Sequence, residues 1–150
     1  MKIKSILLVE DNLDDVRLTK RAFKQNNIFN ELTVVNDGVE ALTYLLEASA
    51  VPDGRPGGLP SVILLDLKLP RMDGLEVLKQ IRASDRLKRL PVVVLTSSKE
   101  EMDIIKSYNS GANSYIRKPV DFEQFNEAVR QIGLYWLLLN EPPPSTGGGV

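Results

Sequence analysis

Acidic, hydroxyl and basic side chains stand directly after four apolar runs of this 150-residue sequence. In chain order they are Glu10 and Asp11, then Asp66, then Thr96 and Ser97, and finally Lys118. If the runs are parallel strands, their carboxyl ends meet at one edge of a sheet, where open α/β folds bind their ligands. Carboxylates in such a crevice hold a hard cation, and a lysine with a hydroxyl neutralises and positions a phosphoryl group. The pattern therefore predicts metal-assisted phosphoryl chemistry.

Three of these side chains are carboxylates, and we predict the cation from their mutual repulsion. Unpaired carboxylates that share a crevice raise each other's pKa. Mg²⁺, or Mn²⁺ in its place, resolves the repulsion because it binds carboxylate oxygens while keeping several waters. The predicted direct ligands are Asp11 and Asp66, and Glu10 is expected to bind the ion through water.

Asp66 is the predicted nucleophile, because a carboxylate at the end of a central, rigid strand can form an aspartyl-phosphate. Lys118 would supply a positive charge to the transferred group, and Thr96 would supply a hydroxyl. Taken singly, each of these residues is as well explained as a turn cap, a helix cap or the exit of a strand. Their occurrence together at successive strand ends favours the functional interpretation.

Alternating strands and helices must position these side chains. The predicted strands are 5–9, 32–35, 62–65, 91–96 and 114–118, and the predicted helices are 13–25, 41–46, 75–81, 99–108 and 121–132. Helical spacing places Leu13, Leu46 and Tyr108 on the apolar faces of their helices. The alternation predicts an α/β fold, a flavodoxin-like (βα)5 doubly wound parallel sheet with strand order 2-1-3-4-5.

One domain is predicted for residues 1–133, because a chain of this length that is 43% hydrophobic can bury a single core. Within it, the Pro- and Gly-rich stretch 48–60 is a loop insertion, expected at the sheet edge opposite Asp66. Residues 134–141 form an apolar extension of the last helix. The Pro- and Gly-rich residues 142–150 are expected to be disordered.

The extension is apolar on every side, and one domain face would cover only part of it. We therefore predict that the chain forms a homodimer through the last helix and this extension. The predicted interface residues are Leu134, Tyr135, Trp136, Leu137 and Leu138.

Composition excludes several classes of function. Nineteen basic and twenty acidic residues give a net charge of −1, which leaves no basic surplus to attract nucleic acid. The absence of cysteine and histidine excludes disulfides, thiolate or imidazole metal sites, histidine-based triads and a phosphohistidine within the chain. No apolar run reaches the roughly 18 residues of a membrane span. We expect a soluble, cytoplasmic protein without a membrane or nucleic-acid partner.

The same residues resemble the receiver domain of bacterial response regulators. The resemblance rests on Glu10-Asp11, on LLDLKLPRMDG around Asp66, on VVVLTSS, and on Lys118-Pro119 preceded by Tyr115. It implies that Asp66 accepts phosphate from a sensor histidine kinase and that the main-chain carbonyl of Lys68 joins the metal ligands. It also implies a conformational switch, in which the hydroxyl of Thr96 moves toward the phosphoryl group, Tyr115 turns inward and the surface from about Lys99 to Ile132 changes.

A narrower resemblance links the chain to small single-domain regulators associated with bacterial phytochrome kinases. It rests on the insertion after the second helix, on the DLKLP run and on the apolar extension that ends in Pro-Pro. It implies that the kinase is a bacterial phytochrome, although nothing in this chain binds a chromophore. The downstream partner would be another protein.

Two other functions fit the fold. One is a protein-interaction module that is never phosphorylated, and failure to label with a small phosphodonor would favour it. The other is a phosphatase of the haloacid-dehalogenase type, which needs a second aspartate two residues after the nucleophile; Lys68 occupies that position. A flavin or dinucleotide carrier is disfavoured, because an acidic pair replaces the Gly-rich phosphate loop after the first strand.

Overall fold

The computed structural model describes residues 5–52, 57–96, 104, 106, 108–117 and 122–132. Within them the strands are β1 (Ser5–Val9), β2 (Glu31–Val35), β3 (Val62–Leu65), β4 (Val92–Thr96) and β5 (Ser114–Arg117). The helices with defined bounds are α1 (Leu13–Gln25), α2 (Gly38–Ala48), α3 (Gly74–Ala83) and α4 (Phe122–Ile132). The predicted helix 99–108 falls largely outside these residues, and the extension and tail lie outside them entirely.

The strands form one parallel sheet in the order β2-β1-β3-β4-β5. This order confirms the predicted flavodoxin-like fold. β1 and β3 are neighbours in register, so that Val9 pairs with Leu65 at their carboxyl ends. The residues that follow β1 and β3 therefore lie next to each other at the carboxyl edge of the sheet.

Two apolar layers cover the sheet, because successive side chains of a strand point to opposite faces. Leu8 and Leu64 pack with α1 and with Val129 of α4 on one face. Leu7 and Ile63 pack with α2 and α3 on the other face. All four residues of β3 are fully buried, as their continuous apolar run predicts for a central parallel strand. Each such side chain contributes about 1.5–3 kcal/mol of hydrophobic stabilisation, which makes the site's supporting strands rigid.

Three large apolar side chains are more exposed than helical spacing predicts. Leu13 is 61% exposed, because it opens α1 at the edge of the sheet where β1 has just ended. Leu46 is 49% exposed, since it lies about 140° around α2 from the buried Ala41 at the helical period of 3.6 residues per turn. Tyr108 is 50% exposed. Helical spacing placed these residues on apolar helix faces, but those faces are only partly covered at these three positions.

The insertion between α2 and β3 approaches the sheet from the amino ends of its strands. Ser61 donates its amide hydrogen to the carbonyl of Ser5 at 2.8 Å, and Val62 pairs with Ile6. Asp66 lies at the other end of β3, so the described part of the insertion joins the sheet at the predicted edge. None of the described helices has the length and apolar character needed to cross a lipid bilayer.

Candidate metal centre

Three carboxylates meet at the carboxyl ends of β1 and β3. One carboxylate oxygen from each of Glu10, Asp11 and Asp66 lies within 4.8 Å of the other two. Glu10 and Asp66 are buried, with 2% and 6% of their surface exposed, whereas Asp11 is exposed. The structure thus brings together the three acidic residues that the sequence predicts to share one site.

Glu10 is held by its backbone on two sides. Its amide donates to the carbonyl of Val35 at 3.0 Å, and its own carbonyl accepts a hydrogen bond from Asn36 Nδ2 at 3.1 Å. Its side chain accepts a hydrogen bond at Oε2 from the amide of Asn12 at 3.2 Å. Asn12 also caps α1, because its Oδ1 accepts a hydrogen bond from the amide of Asp15. The turn from β1 into α1 therefore holds Glu10 through both its backbone and its side chain.

Asp66 is held between β1 and the loop that leads into α3. Its amide donates to the carbonyl of Val9 at 3.1 Å, and its Oδ1 accepts from the amide of Lys68 at 3.3 Å. Gly74, the first residue of α3, lies against it so closely that a Cβ there would stand 2.1 Å from the Asp66 carbonyl oxygen. Since no side chain fits in this space, glycine is required for the loop to return so tightly to the strand end.

The cluster suits a divalent cation because three carboxylates converge in it. Two of its carboxylates are buried, and like charges at this distance destabilise each other unless a cation compensates. The oxygen-only ligand set and the mixture of buried and exposed groups fit Mg²⁺ or Mn²⁺, which keep some of their waters. The three side chains therefore form a site for a divalent cation.

The remaining predicted site residues are only partly described. Thr96 is the last residue of β4 and pairs with Arg117, and Tyr115 lies within β5 and pairs with Val94, but the side chains of Thr96 and Tyr115 lie outside the described residues. Ser97, Lys118 and the interface residues Leu134, Tyr135, Trp136, Leu137 and Leu138 also lie outside them. Lys68 is described, and its side chain is exposed beside the cluster.

Two contacts around the site were not predicted from the sequence. Asn36 reaches the carbonyl of Glu10, and Arg71, with a left-handed φ of 67°, forms an ion pair with Asp37 at 3.2 Å. Asp37 caps α2, which begins at Gly38, three residues before the predicted helix 41–46. Asp37 contacts Arg71, which is 34 residues further along the chain. The spacing of residues in the sequence gives no indication of such a contact.

Comparison with known proteins gives a consistent family. A family model described as "Response regulator receiver domain" matches residues 6–130. The "Probable methanogenesis regulatory protein FilR2" of Methanothrix harundinacea is 43% identical over 138 residues, which are 92% of this chain and 86% of that protein. The "Response regulator Rcp1" of Synechocystis is 40% identical over 134 residues, which are 89% of each chain.

Solved structures of similar proteins share the fold over nearly the whole chain. The phosphorylated cyanobacterial phytochrome response regulator RcpA is 40% identical, with a TM-score of 0.82 over 94% of this chain and 99% of that one. The Mn²⁺-bound form of Rcp1 is 40% identical, with a TM-score of 0.80 over 94% and 99% of the two chains. The bacteriophytochrome response regulator RtBRR is 50% identical, with a TM-score of 0.72 over 97% and 87% of the two chains.

Proposed function

The chain belongs to the response regulator receiver family, and from that premise we propose that Asp66 accepts a phosphoryl group from a sensor histidine kinase with the help of Mg²⁺. As a response regulator it is a phosphoacceptor protein rather than a conventional enzyme. One observation carries the assignment to Asp66. Its carboxylate lies within 4.8 Å of those of Glu10 and Asp11, at the end of a strand that is buried throughout.

Asp66 acts in this proposal as the nucleophile. One carboxylate oxygen attacks the phosphorus atom, and the new P–O bond forms as the P–N bond to the donor imidazole breaks, with the electron pair returning to that nitrogen. Because this chain has no histidine, the donor imidazole belongs to another protein. Hydrolysis of the acyl phosphate later releases phosphate and restores the carboxylate.

The metal ligands are proposed to be Asp11 and Asp66 directly, the main-chain carbonyl of Lys68, and Glu10 through a water. A bound divalent cation would offset the negative charge of the carboxylates and of the incoming phosphoryl group. The Mn²⁺-bound form of the relative Rcp1 supports a cation of this class. The short turn from Asp66, whose Oδ1 accepts from the amide of Lys68, keeps that residue beside the cluster.

The other side of the phosphoryl group is proposed to be bound by Lys118 as a charge, by Thr96 as a hydroxyl donor and by Ser97 beside it. Movement of Thr96 toward the phosphoryl group and of Tyr115 inward would then change the surface from about Lys99 to Ile132. The parallel pairing of β4 with β5, which places Thr96 opposite Arg117, supports a shared response of the two strand ends.

Phosphorylation with a small donor tests the proposal. We expect radiolabelled acetyl phosphate to label the parent protein in Mg²⁺ but not in EDTA, and to leave Asp66→Asn unlabelled. Asp14→Asn is a matched control, because it removes one carboxylate from the exposed surface of α1 and should label like the parent. A parent protein that binds Mg²⁺ and remains unlabelled would contradict the proposal and favour an unphosphorylated interaction module.

The kinase is proposed to be a bacterial phytochrome. Two relatives support this, the phytochrome regulator RcpA and the bacteriophytochrome regulator RtBRR, the latter being half identical to this chain. The 43% identical FilR2 is described as a "Probable methanogenesis regulatory protein", so the comparison of kinases below discriminates between the two kinds of relative. We expect phosphotransfer to Asp66 from a purified phytochrome kinase to be at least tenfold faster than from an unrelated histidine kinase. Equal rates would contradict the link.

We further propose that residues 1–133 form the receiver domain, that 134–141 extend its last helix as a dimer interface, and that 142–150 form a disordered tail. The apolar run Leu134–Leu139 supports the homodimer, because a face of this character is rarely left in water. The output would then be the binding of a downstream protein by the switched surface.

A further inference from the structure

A turn outside the proposed ligand set contacts both loops that carry the carboxylates. This turn, Asn36-Asp37-Gly38, joins β2 to α2 and lies beside β1 at the carboxyl edge of the sheet. We call it the β2–α2 junction. It contacts the acidic pair on one side and the loop after Asp66 on the other.

The contact with the acidic pair is made by Asn36. Its Nδ2 donates to the main-chain carbonyl of Glu10 at 3.1 Å. Its own amide donates to Oε2 of Glu40 at 3.2 Å, so the residue is tied to the first turn of α2. Because the amide of Glu10 also donates to Val35, the backbone at Glu10 is held from both sides by β2 and the residue that follows it.

The contact with the loop after Asp66 is made by Asp37 and Gly38. Asp37 uses both carboxylate oxygens: Oδ1 accepts the amide of Glu40 at 2.7 Å, and Oδ2 accepts Arg71 Nη1 at 3.2 Å. The amide of Gly38 lies 3.5 Å from the Pro70 carbonyl, and a Cβ on Gly38 would stand 2.0 Å from the Met72 carbonyl oxygen. The loop is therefore pressed against the junction along three consecutive residues.

Arg71 itself adopts a backbone conformation that a side chain with a Cβ disfavours. Its φ of 67° lies in the left-handed region, and it is one of two non-glycine residues with positive φ among those described. Surrounding contacts must hold such a residue in place. The Met72 amide, which donates to the Pro70 carbonyl at 2.7 Å, closes a tight turn around Arg71, and the ion pair with Asp37, whose side chain is only 14% exposed, ties that turn to the junction.

We propose that the β2–α2 junction sets the separation of the two loops that carry the carboxylates. Asn36 is the positioning residue for the loop with Glu10 and Asp11. Asp37 positions the loop after Asp66 through its ion pair with Arg71. This rests on the proposed function, because it assumes that the cluster binds a cation. Groups that orient metal ligands without touching the ion commonly change metal affinity by 10- to 100-fold when they are removed.

Arg71→Asn is the diagnostic variant, because simple electrostatics and positioning predict opposite effects. Asparagine tolerates positive φ, so the backbone conformation is retained while the ion pair is lost. Removal of a nearby positive charge should by itself strengthen cation binding. Positioning predicts the reverse, and we expect Mn²⁺ affinity to fall about tenfold.

The experiment is calorimetric titration of the full chain with Mn²⁺, together with the urea midpoint of unfolding in EDTA. We expect Arg71→Asn to bind about tenfold more weakly at an unchanged midpoint, and Arg71→Lys, which keeps the charge, to recover most of the affinity. Asn36→Ala tests the other loop independently and should also bind about tenfold more weakly. Asp73→Asn is the control, because Asp73 caps α3 at the far end of the same loop and its amide replacement keeps the cap.

Two results would overturn the inference. One is an Mn²⁺ affinity that is unchanged or tighter in both Arg71→Asn and Asn36→Ala. The other is a loss of affinity in Asp73→Asn as large as the losses in those two variants. A parent protein that binds no Mn²⁺ would instead overturn the proposed function. The two failures are thus distinguished in one series, and Asn36→Ala decides the matter if Arg71→Asn does not fold.

Discussion

At the scale of single residues, three carboxylates of like charge meet at the ends of β1 and β3. Glu10 and Asp66 are buried next to Asp11, and all three are needed for the proposed chemistry. A site optimised to bind an ion in this way sacrifices some stability of the free protein. The cost should be measurable at Asp11, because its exposed side chain can be changed without leaving a cavity.

The first prediction is that Asp11→Asn is more stable than the parent in EDTA and less stable in Mg²⁺. Removing one of three like charges should raise the free energy of unfolding by about 1 kcal/mol without metal, the size of an interaction at 4 Å in water. The same change removes a ligand, so Mg²⁺ should no longer stabilise the variant. Urea unfolding in both buffers measures the two effects. If Asp11→Asn in EDTA is no more stable than Asp14→Asn, repulsion between the carboxylates does not destabilise the free protein.

The second prediction concerns the pH dependence of a surface pair on α4. Hydrogen bonds to Glu127 from Arg130 at 2.7 Å and from Gln131 at 3.1 Å lower the pKa of the Glu127 carboxyl to about 2. Because the folded pKa lies below the ordinary value, the pair stabilises α4 above that ordinary value, and this stabilisation is lost as the pH falls toward 2. Both side chains are about half exposed, so solvent screens the pair and its contribution to stability is small.

Carbon-detected NMR titration of the Glu127 carboxyl measures this shift. Arg130→Gln should return the pKa of Glu127 toward its ordinary value, while Arg130→Lys, which keeps the charge but loses the two-pronged geometry, should give an intermediate value. A titration curve that is the same in all three proteins would contradict the assignment of the shift to Arg130.

Sequence reasoning found the residues whose types alone suggest chemistry and missed those whose role depends on a distant contact. Glu10, Asp11 and Asp66 follow apolar runs, and the rule that ligands bind at the carboxyl ends of parallel strands was enough to place them together. Arg71 and Asn36 show no such pattern. Their importance arises from a backbone angle and from hydrogen bonds to chain segments 34 and 26 residues away.

At the scale of secondary-structure elements, one arginine holds the amino edge of β4 and β5. Arg82, in the last turn of α3, donates from Nε to the carbonyl of Gly111 at 2.8 Å and from Nη1 to the carbonyls of Lys88 and Leu90. Its Nη2 donates to Oδ1 of Asn113 at 2.9 Å. Partial burial lowers the pKa of the Arg82 guanidinium, but four hydrogen bonds hold its charged form in place.

The third prediction is that Arg82→Met destabilises the fold by about 2 kcal/mol, because it leaves several carbonyls without their donor while keeping the apolar stem. Urea unfolding measures the loss, and hydrogen exchange should show faster exchange at Gly111, whose backbone φ of 101° is held against the Arg82 side chain. Arg86→Met is the matched control. Arg86 is exposed in the turn that follows α3, so its replacement should change the free energy of unfolding little. Equal stability of the two variants would contradict the role given to Arg82.

The strands and helices were largely predictable, because apolar runs and helical spacing of apolar residues mark them clearly in the sequence. The run 62–65 matches Val62–Leu65, and the strand predicted at 32–35 differs from Glu31–Val35 by one residue. Exposure was predicted less well, as Leu13 and Leu46 show. Periodicity describes where a side chain points around its helix, but not how far the sheet beneath it extends.

At the scale of the whole molecule, the fourth prediction concerns assembly. The proposed interface residues, Leu134 to Leu138 within the extension 134–141, would form an apolar surface on the free protein, so burying them in a homodimer is favourable. Sedimentation should show a dimer for the parent and a monomer for Trp136→Glu. Phe29→Glu is the control, because Phe29 is an exposed aromatic, with 75% of its surface accessible, on a separate turn between α1 and β2.

The results that contradict the dimer are easy to recognise. A parent protein that sediments as a monomer at micromolar concentration would end the proposal, and so would a dimer that persists in Trp136→Glu and is lost in Phe29→Glu. Repeating the measurement with beryllofluoride, which mimics the phosphoryl group, would show whether the switch proposed for the surface from about Lys99 to Ile132 alters assembly.

The position of the carboxylates at the ends of β1 and β3 links ion binding to the lifetime of the chain. These two strands contribute to both apolar layers, so we expect them to open late among the described elements. An ion seated there must leave before the chain can unfold, so magnesium at 100 times its dissociation constant would add about 2.7 kcal/mol to global stability. Turnover of the protein by proteases would then follow the supply of magnesium around it, even in the absence of any kinase signal.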